Sequence, residues 1–201
     1  MRDVNSEKGN LWAVVLAAGE GTRMNQFIRS SYGLCSPKQY IAFTGKRSML
    51  QHTLHRVERR IPRERILTVV SPSHMREVEA QLADRPRQTV IFQPCNRETA
   101  PGVLLPLIHI LKRDPEARVA IFPSDHFILE EERFMDYIAS ADRAVQANPE
   151  QPVLLGIRAE DPEVEYGWIE PAETITPHPG FEVRRVRRFL EKPDFSSACA
   201  F

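Results

Sequence analysis

Five short apolar runs punctuate the chain: "LWAVVLAA" (11–18), "ILTVV" (66–70), "TVIFQ" (89–93), "VAIF" (119–122) and "PVLLGI" (152–157). Each is rich in Val, Ile, Leu or Phe, and Gly, Pro or Ser stands close behind it. Continuous rather than alternating apolarity means burial on both faces, as in strands of a parallel sheet covered by helices. Longer segments of helical period lie between them: "SMLQHTLHRVERR" (48–60), "SHMREVEAQLA" (73–83), "APGVLLPLIHILKR" (100–113) and "EERFMDYIASADRAVQA" (131–147). Leu50, Leu54 and Val57 fall on one stripe of the first, and Phe134, Ile138, Ala141 and Val145 on one stripe of the last. Strand and helix alternating in this way predict an α/β fold, a doubly wound, mostly parallel sheet with helices on both faces and ligands outside the carboxyl ends of the strands. Beyond Gly156 the rhythm changes. "YGWIEP" (166–171) and "FEVRRVRRFLEKP" (181–193) read as strands with no helix between them, joined by "AETITPHPG", which predicts a mixed extension of the sheet near the C-terminus.

A length of 201 residues suits one compact domain. Lys plus Arg and Asp plus Glu are equal at 27 each, so no overall field recruits nucleic acid or an anionic membrane, and an anion site has to be built locally. No apolar stretch is long enough to span a bilayer, and the polar start "MRDVNSEKGN" has no secretory leader character, so a cytoplasmic protein is expected. Cys35, Cys95 and Cys199 have no paired spacing and read as free thiols.

Candidate chemistry begins where the first strand ends, in "LAAGEGTRM" (16–24). Gly19 and Gly21 allow backbone N–H groups to point into a common concavity suited to a triphosphate, Thr22 adds a hydroxyl and Arg23 a fork of donors. Taken alone, a Gly-x-Gly after a strand also fits an ordinary turn; the third Gly of a dinucleotide fingerprint and the Gly-Lys-Ser/Thr of the ATPase loop are both missing. "SPKQY" (36–40) changes the balance, because Lys38 behind a stiffening Pro offers the same phosphates a second cation. "FPSDH" (122–126) puts Asp125 just past a buried strand, where its carboxylate suits Mg²⁺ as a hard oxygen ligand, although Ser124 or Asp125 also suits a helix cap. In "QPCNRETAPG" (93–102), Gln93 both donates and accepts, as a purine edge demands, and Thr99 stands at a helix start, where a plain cap is equally in character. His52 and His55 have no third ligand in evidence and read as structural.

"LAAGEGTRM" followed by "PKQY" resembles the sugar-1-phosphate nucleotidyltransferases. Methylerythritol phosphate cytidylyltransferases share that opening, but "QPCNRETAPG", "FPSDH", "EYGWIEP" (165–171) and "FLEKPD" (189–194) are similar to the hexose 1-phosphate branch, and most of all to the mannose-1-phosphate guanylyltransferases. The resemblance implies that Leu16, Ala17, Ala18, Gly19, Gly21, Thr22, Arg23 and Lys38 hold a nucleoside triphosphate, with Gln93 and Thr99 at its base and Arg97 a further candidate. It gives Asp125 the Mg²⁺ and Gly167, Glu170, Glu191 and Lys192 the sugar phosphate, with Arg23, Lys38, Asp125 and Lys192 as the catalytic set. The implied reaction joins an NTP, with GTP leading, to a hexose 1-phosphate, with mannose 1-phosphate leading, and releases pyrophosphate. The alternatives are a cytidylyltransferase-like enzyme and a non-catalytic subunit that binds nucleotide or sugar phosphate; a homo-oligomer is left open. Two departures from the family stand out: "MNQFIRSSYGLCS" (24–36) is long and lacks a Trp-Pro-Leu-Ser motif, and family domains continue past "EKPDFSSACAF". The expectation is therefore a single nucleotidyltransferase domain over 1–201, incomplete at its C-terminal end.

Overall fold

A computed structural model describes residues 9–95, 97, 99–178 and 181–200. Most of the polar start, and Pro179 and Gly180 of the connection read after "YGWIEP", lie outside the described residues. The chain divides into two compact units, one ending at Met135 and one beginning at Asp136.

The first unit is built on a four-stranded parallel sheet in the order β3-β2-β1-β4, formed by β1 (Leu11–Leu16), β2 (Ile66–Val70), β3 (Val90–Phe92) and β4 (Arg118–Pro123). Four of the five apolar runs are these strands. Ala13, Val14, Val15 and all of β2 are buried, so both faces of the sheet centre are covered. Side chains alternate across a strand; on one face Trp12, Val14, Leu67, Val69 and Ile91 pack with Ile110 and Leu105 of α4 (Thr99–Leu111). The opposite face meets α2 (Met49–Glu58), whose buried Leu50, Leu54 and Val57 are the predicted stripe. Ser48 starts α2 as a capping box with Gln51: Gln51 N donates to Ser48 Oγ at 3.2 Å and Ser48 N to Gln51 Oε1 at 3.1 Å. Two further helices belong to this unit, α1 (Asn25–Tyr32) and α3 (Met75–Gln81). Gly33 stops α1 in the left-handed conformation.

α5 (Glu131–Ala147) begins in the first unit and continues into the second, which ends in α6 (Phe195–Ala200). The expected strands around 166–193 are present as an antiparallel two-stranded sheet, β5 (Gly167–His178) and β6 (Phe181–Glu191). β5 runs further than "YGWIEP", pairing on to His178, with register shifts on either side of Pro171 that absorb its missing N–H and another between Thr174 and Thr176.

The fifth apolar run departs from expectation: "PVLLGI" (152–157) joins neither sheet. Leu154, Leu155 and Ile157 are exposed, and 152–156 help line a hollow of about 670 Å³ with α5 and β6. Apolar character announces a surface to be covered, and only a neighbouring ladder turns it into a strand. Among the described residues no helix is long and apolar enough to cross a membrane, and Cys35, Cys95 and Cys199 are exposed free thiols.

Candidate active site

β1 carries the chain to the carboxyl edge of the sheet, where Leu16 pairs with Val69 on one side and Pro123 on the other. Ala17 is buried, its N–H held by Val69 O at 2.8 Å, and Ala18 packs against the core. The next residues leave the sheet. Gly19 and Glu20 are exposed, and no amide of residues 18–21 donates a hydrogen bond within the described residues. Their carbonyl side is pinned instead: Gln39 Nε2 donates to Ala17 O at 3.1 Å and to Gly19 O at 2.7 Å, and Tyr40 Oη donates to Ala17 O at 3.3 Å.

Gly21 sits at φ +59, and a Cβ there would stand 3.3 Å from both Cγ and N of Lys38. Gly19 would meet nothing within 4 Å, so its lack of a side chain leaves space rather than relieving a clash. Gly21→Ala is expected to lower stability by about 1–2 kcal/mol from the left-handed backbone alone and to push Lys38 aside; thermal unfolding together with triphosphate affinity measures both. Thr22 and Arg23 follow in an exposed single turn of 3-10 helix, Thr22–Met24.

Lys38 lies beside this loop, its Nζ 2.6 Å from Oδ2 of Asp125. Asp125 comes two residues after β4, so the carboxyl ends of adjacent strands β1 and β4 bring together the Gly-rich loop, the lysine and the aspartate. Gln93 leaves β3 on the same edge, its backbone N–H on Val70 O at 2.9 Å. The Gln93 side chain is 6% exposed and its Nε2 has no partner among the described residues; a Cβ on Gly102 would stand 3.3 Å from its Oε1. Thr99 is the exposed first residue of α4, and Arg97 donates from Nε to Cys95 Sγ at 3.3 Å.

The remaining candidates are in the second unit. Gly167 opens β5 opposite Glu191 of β6. A Cβ at Gly167 would overlap the Phe189 ring, 2.3 Å from Cζ, so packing under that ring already requires glycine. Glu170 holds Arg187 at 3.1 Å and Arg188 at 3.2 Å, which ties down part of the exposed "RRVRR" run. Lys192, just past β6, has φ 44, and its N–H donates to Tyr166 O at 3.2 Å.

Two residues behind the site carry weight that apolar patterning does not reveal. Gln39, inside the "PKQY" motif, is one. Arg56 is the other: on a helix read only for its leucine stripe, it is buried, bonds Glu131 at 3.2 Å and the His126 carbonyl at 3.4 Å, and lies 5.7 Å from the Phe134 ring centre. It fastens the segment that follows Asp125, and burial lowers its pKa against the pull of Glu131. An arginine among leucines is the only signal the sequence offered, and the same pattern fits a solvated helix face.

From the other side α3 braces the motif. Ser36 Oγ donates to Glu77 at 2.7 Å, Gln81 Nε2 to Tyr40 O at 2.9 Å, and His74 meets the Tyr40 ring edge-on at 5.4 Å. Burial raises the Tyr40 pKa, with Glu77 adding to the rise. Burial lowers the His74 pKa, opposed by Glu77 and Glu20, so the fold favours the neutral ring. A depressed folded pKa gives stability that is present above the ordinary value of 6.5 and lost as pH falls through the folded value. Melting temperature is therefore expected to drop below pH 6.5, and His74→Phe to flatten that slope, in thermal melts across a pH series.

Comparison with known proteins gives the site a context. Residues 12–200 match the family model described as nucleotidyl transferase. The chain is 33% identical over 193 residues to mannose-1-phosphate guanylyltransferase 2 of Escherichia coli O157:H7, covering 92% of this chain and 39% of that protein. It is 32% identical over 191 residues to the alginate biosynthesis protein AlgA of Pseudomonas syringae pv. tomato, covering 94% and 38%. Among solved structures, one described as mannose-1-phosphate geranyltransferase from Thermus thermophilus matches with a TM-score of 0.77 and 30% identity, over 95% of this chain and 52% of that one. The chain thus spans about two fifths of the length of these curated relatives.

Proposed function

The chain belongs to the nucleotidyl transferase family, and from that premise we propose that it transfers a nucleotidyl group from GTP to a hexose 1-phosphate, mannose 1-phosphate foremost. The observation that carries this reading is the meeting of the Gly-rich loop, Lys38 and Asp125 at one strand edge. Unengaged amides in the loop suit phosphate oxygens. Lys38 has three N–H donors, enough to keep Asp125 and reach a phosphate together, and Arg23 adds a fixed fork on the open side. Gln93, buried with a donor that has no partner among the described residues, and Thr99 are assigned to the guanine edge. Gly167, Glu170, Glu191 and Lys192 are assigned to the sugar phosphate. Family match over 12–200 supports treating both units as one nucleotidyltransferase domain.

Asp125 is the residue that would hold Mg²⁺. Among the described residues no cluster of three His, Cys, Asp or Glu side chains is built to hold a metal. A single carboxylate fits an ion that keeps its waters and takes its other ligands from substrate phosphates. When bound there, Mg²⁺ supplies counter-charge to the phosphate oxygens.

In the reaction, a phosphate oxygen of the sugar phosphate attacks the α-phosphorus, the bond from that phosphorus to the bridging oxygen breaks, and pyrophosphate leaves with the electron pair. With a second pKa of about 6 the acceptor is already mostly ionised at neutral pH, so no general base is needed. Positioning and charge neutralisation do the rest. The test is a pyrophosphate-release panel of four NTPs against several sugar 1-phosphates. GTP with mannose 1-phosphate is expected to be the fastest pair; preference for CTP would favour the cytidylyltransferase reading, and binding without release a non-catalytic module.

A further inference from the structure

We propose that Gln39 is a positioning residue that orients the phosphate-binding amides of the Gly-rich loop, an inference that rests on reading this loop as the triphosphate site. Gln39 is 3% exposed, so it does not serve as a surface donor. Both hydrogens of its amide nitrogen are committed, to Ala17 O at 3.1 Å and Gly19 O at 2.7 Å. Two carbonyl acceptors fix the amide's orientation, because only its NH₂ end can face both.

The geometric consequence follows from the peptide bond. Every peptide in the loop is trans, and in a trans unit the C=O and the next N–H point in opposite directions. Drawing Ala17 O toward buried Gln39 therefore sends the Ala18 N–H away from it, and drawing Gly19 O inward does the same for the Glu20 N–H. Those are amides with no acceptor among the described residues. Gly19 and Glu20 are exposed while Ala18 is half-buried against the core, so the direction away from Gln39 is open most clearly at Glu20. Gln39 thus sets the Glu20 donor by itself and the Ala18 donor together with Tyr40, whose Oη also donates to Ala17 O at 3.3 Å, before the anion arrives, and orientation arranged in advance costs nothing at the moment of binding. Gln39 is in turn held from behind, since its neighbour Tyr40 has its carbonyl on Gln81 and its ring against His74. Gln39 touches no phosphate itself. Its effect passes through the backbone of 17–20.

The test uses inorganic pyrophosphate with Mg²⁺ as probe, titrated by calorimetry and by backbone amide NMR into the wild-type chain and Gln39→Met, which keeps the length and loses both donors. Wild type is expected to bind, with the largest amide shifts at Ala18 and Glu20. Gln39→Met is expected to bind about ten- to a hundredfold more weakly and to lose the Glu20 shift above all, Ala17 O being still held by Tyr40, while keeping a cooperative melt. A folded Gln39→Met with wild-type affinity and wild-type shifts would overturn the proposal and leave the phosphate reading standing. Failure of the wild type to bind pyrophosphate would overturn both. Should Gln39→Met fail to fold, the wild-type spectra decide: shifts centred on Ala18 and Glu20 support the proposal, and shifts centred elsewhere overturn it.

Discussion

Asp125→Asn is expected to reduce pyrophosphate release by about a thousandfold or more and to leave the melting temperature almost unchanged. The catalytic half follows from charge. Asn keeps the shape and one acceptor oxygen but loses the negative charge that makes a carboxylate a ligand for Mg²⁺. The stability half follows from exposure: the Lys38 and Asp125 side chains are 38% and 23% exposed, so solvent screens their pair and its loss costs at most about 1 kcal/mol. Arg56 holds the neighbouring backbone through the His126 carbonyl, which does not depend on Asp125. Turnover under saturating Mg²⁺ beside a thermal melt checks both halves. Unchanged turnover would remove Asp125 from the mechanism.

Lys38→Met is expected to cost about a hundred- to a thousandfold in turnover, with most of the loss already present as weaker triphosphate binding. The ammonium is 2.6 Å from Asp125, and a Cβ on Gly21 would stand 3.3 Å from the lysine Cγ, so Lys38 lies against both the loop and the aspartate. A sulfur-containing chain of similar length keeps the packing and removes the donors. Asp125 is left without its ammonium partner, so Mn²⁺ titrated alone is expected to bind Lys38→Met more tightly than wild type, and Asp125→Asn more weakly. The two substitutions thus impair turnover alike and shift metal affinity in opposite directions, a contrast that general unfolding cannot imitate.

The sheet was readable because its central strands are buried on both faces and carry the apolar runs that such burial demands; β2 coincides with "ILTVV" residue for residue. "PVLLGI" carried the same signal and made no ladder, since pairing depends on a neighbour that composition does not specify. In the site, the placement of Gly21 and Asp125 just past β1 and β4, with Lys38 beside them, was legible in the sequence; their roles there are the ones proposed. Gln39 and Arg56 were not, because their importance lies in what they touch: carbonyls of a distant loop, and a backbone 70 residues away. Polar residues buried by tertiary contact leave no periodic trace. Gly167 shows the converse, a motif glycine whose place beneath the Phe189 ring already calls for it.

The most direct measurement is a calorimetric titration of GTP, with and without Mg²⁺, into wild type, Lys38→Met and Asp125→Asn. One triphosphate per chain is expected, bound tightly by wild type with Mg²⁺, at least tenfold more weakly by Lys38→Met, and with no gain from Mg²⁺ in Asp125→Asn. Equal affinity in all three proteins, with or without the metal, would contradict a triphosphate site built from the loop, the lysine and the aspartate.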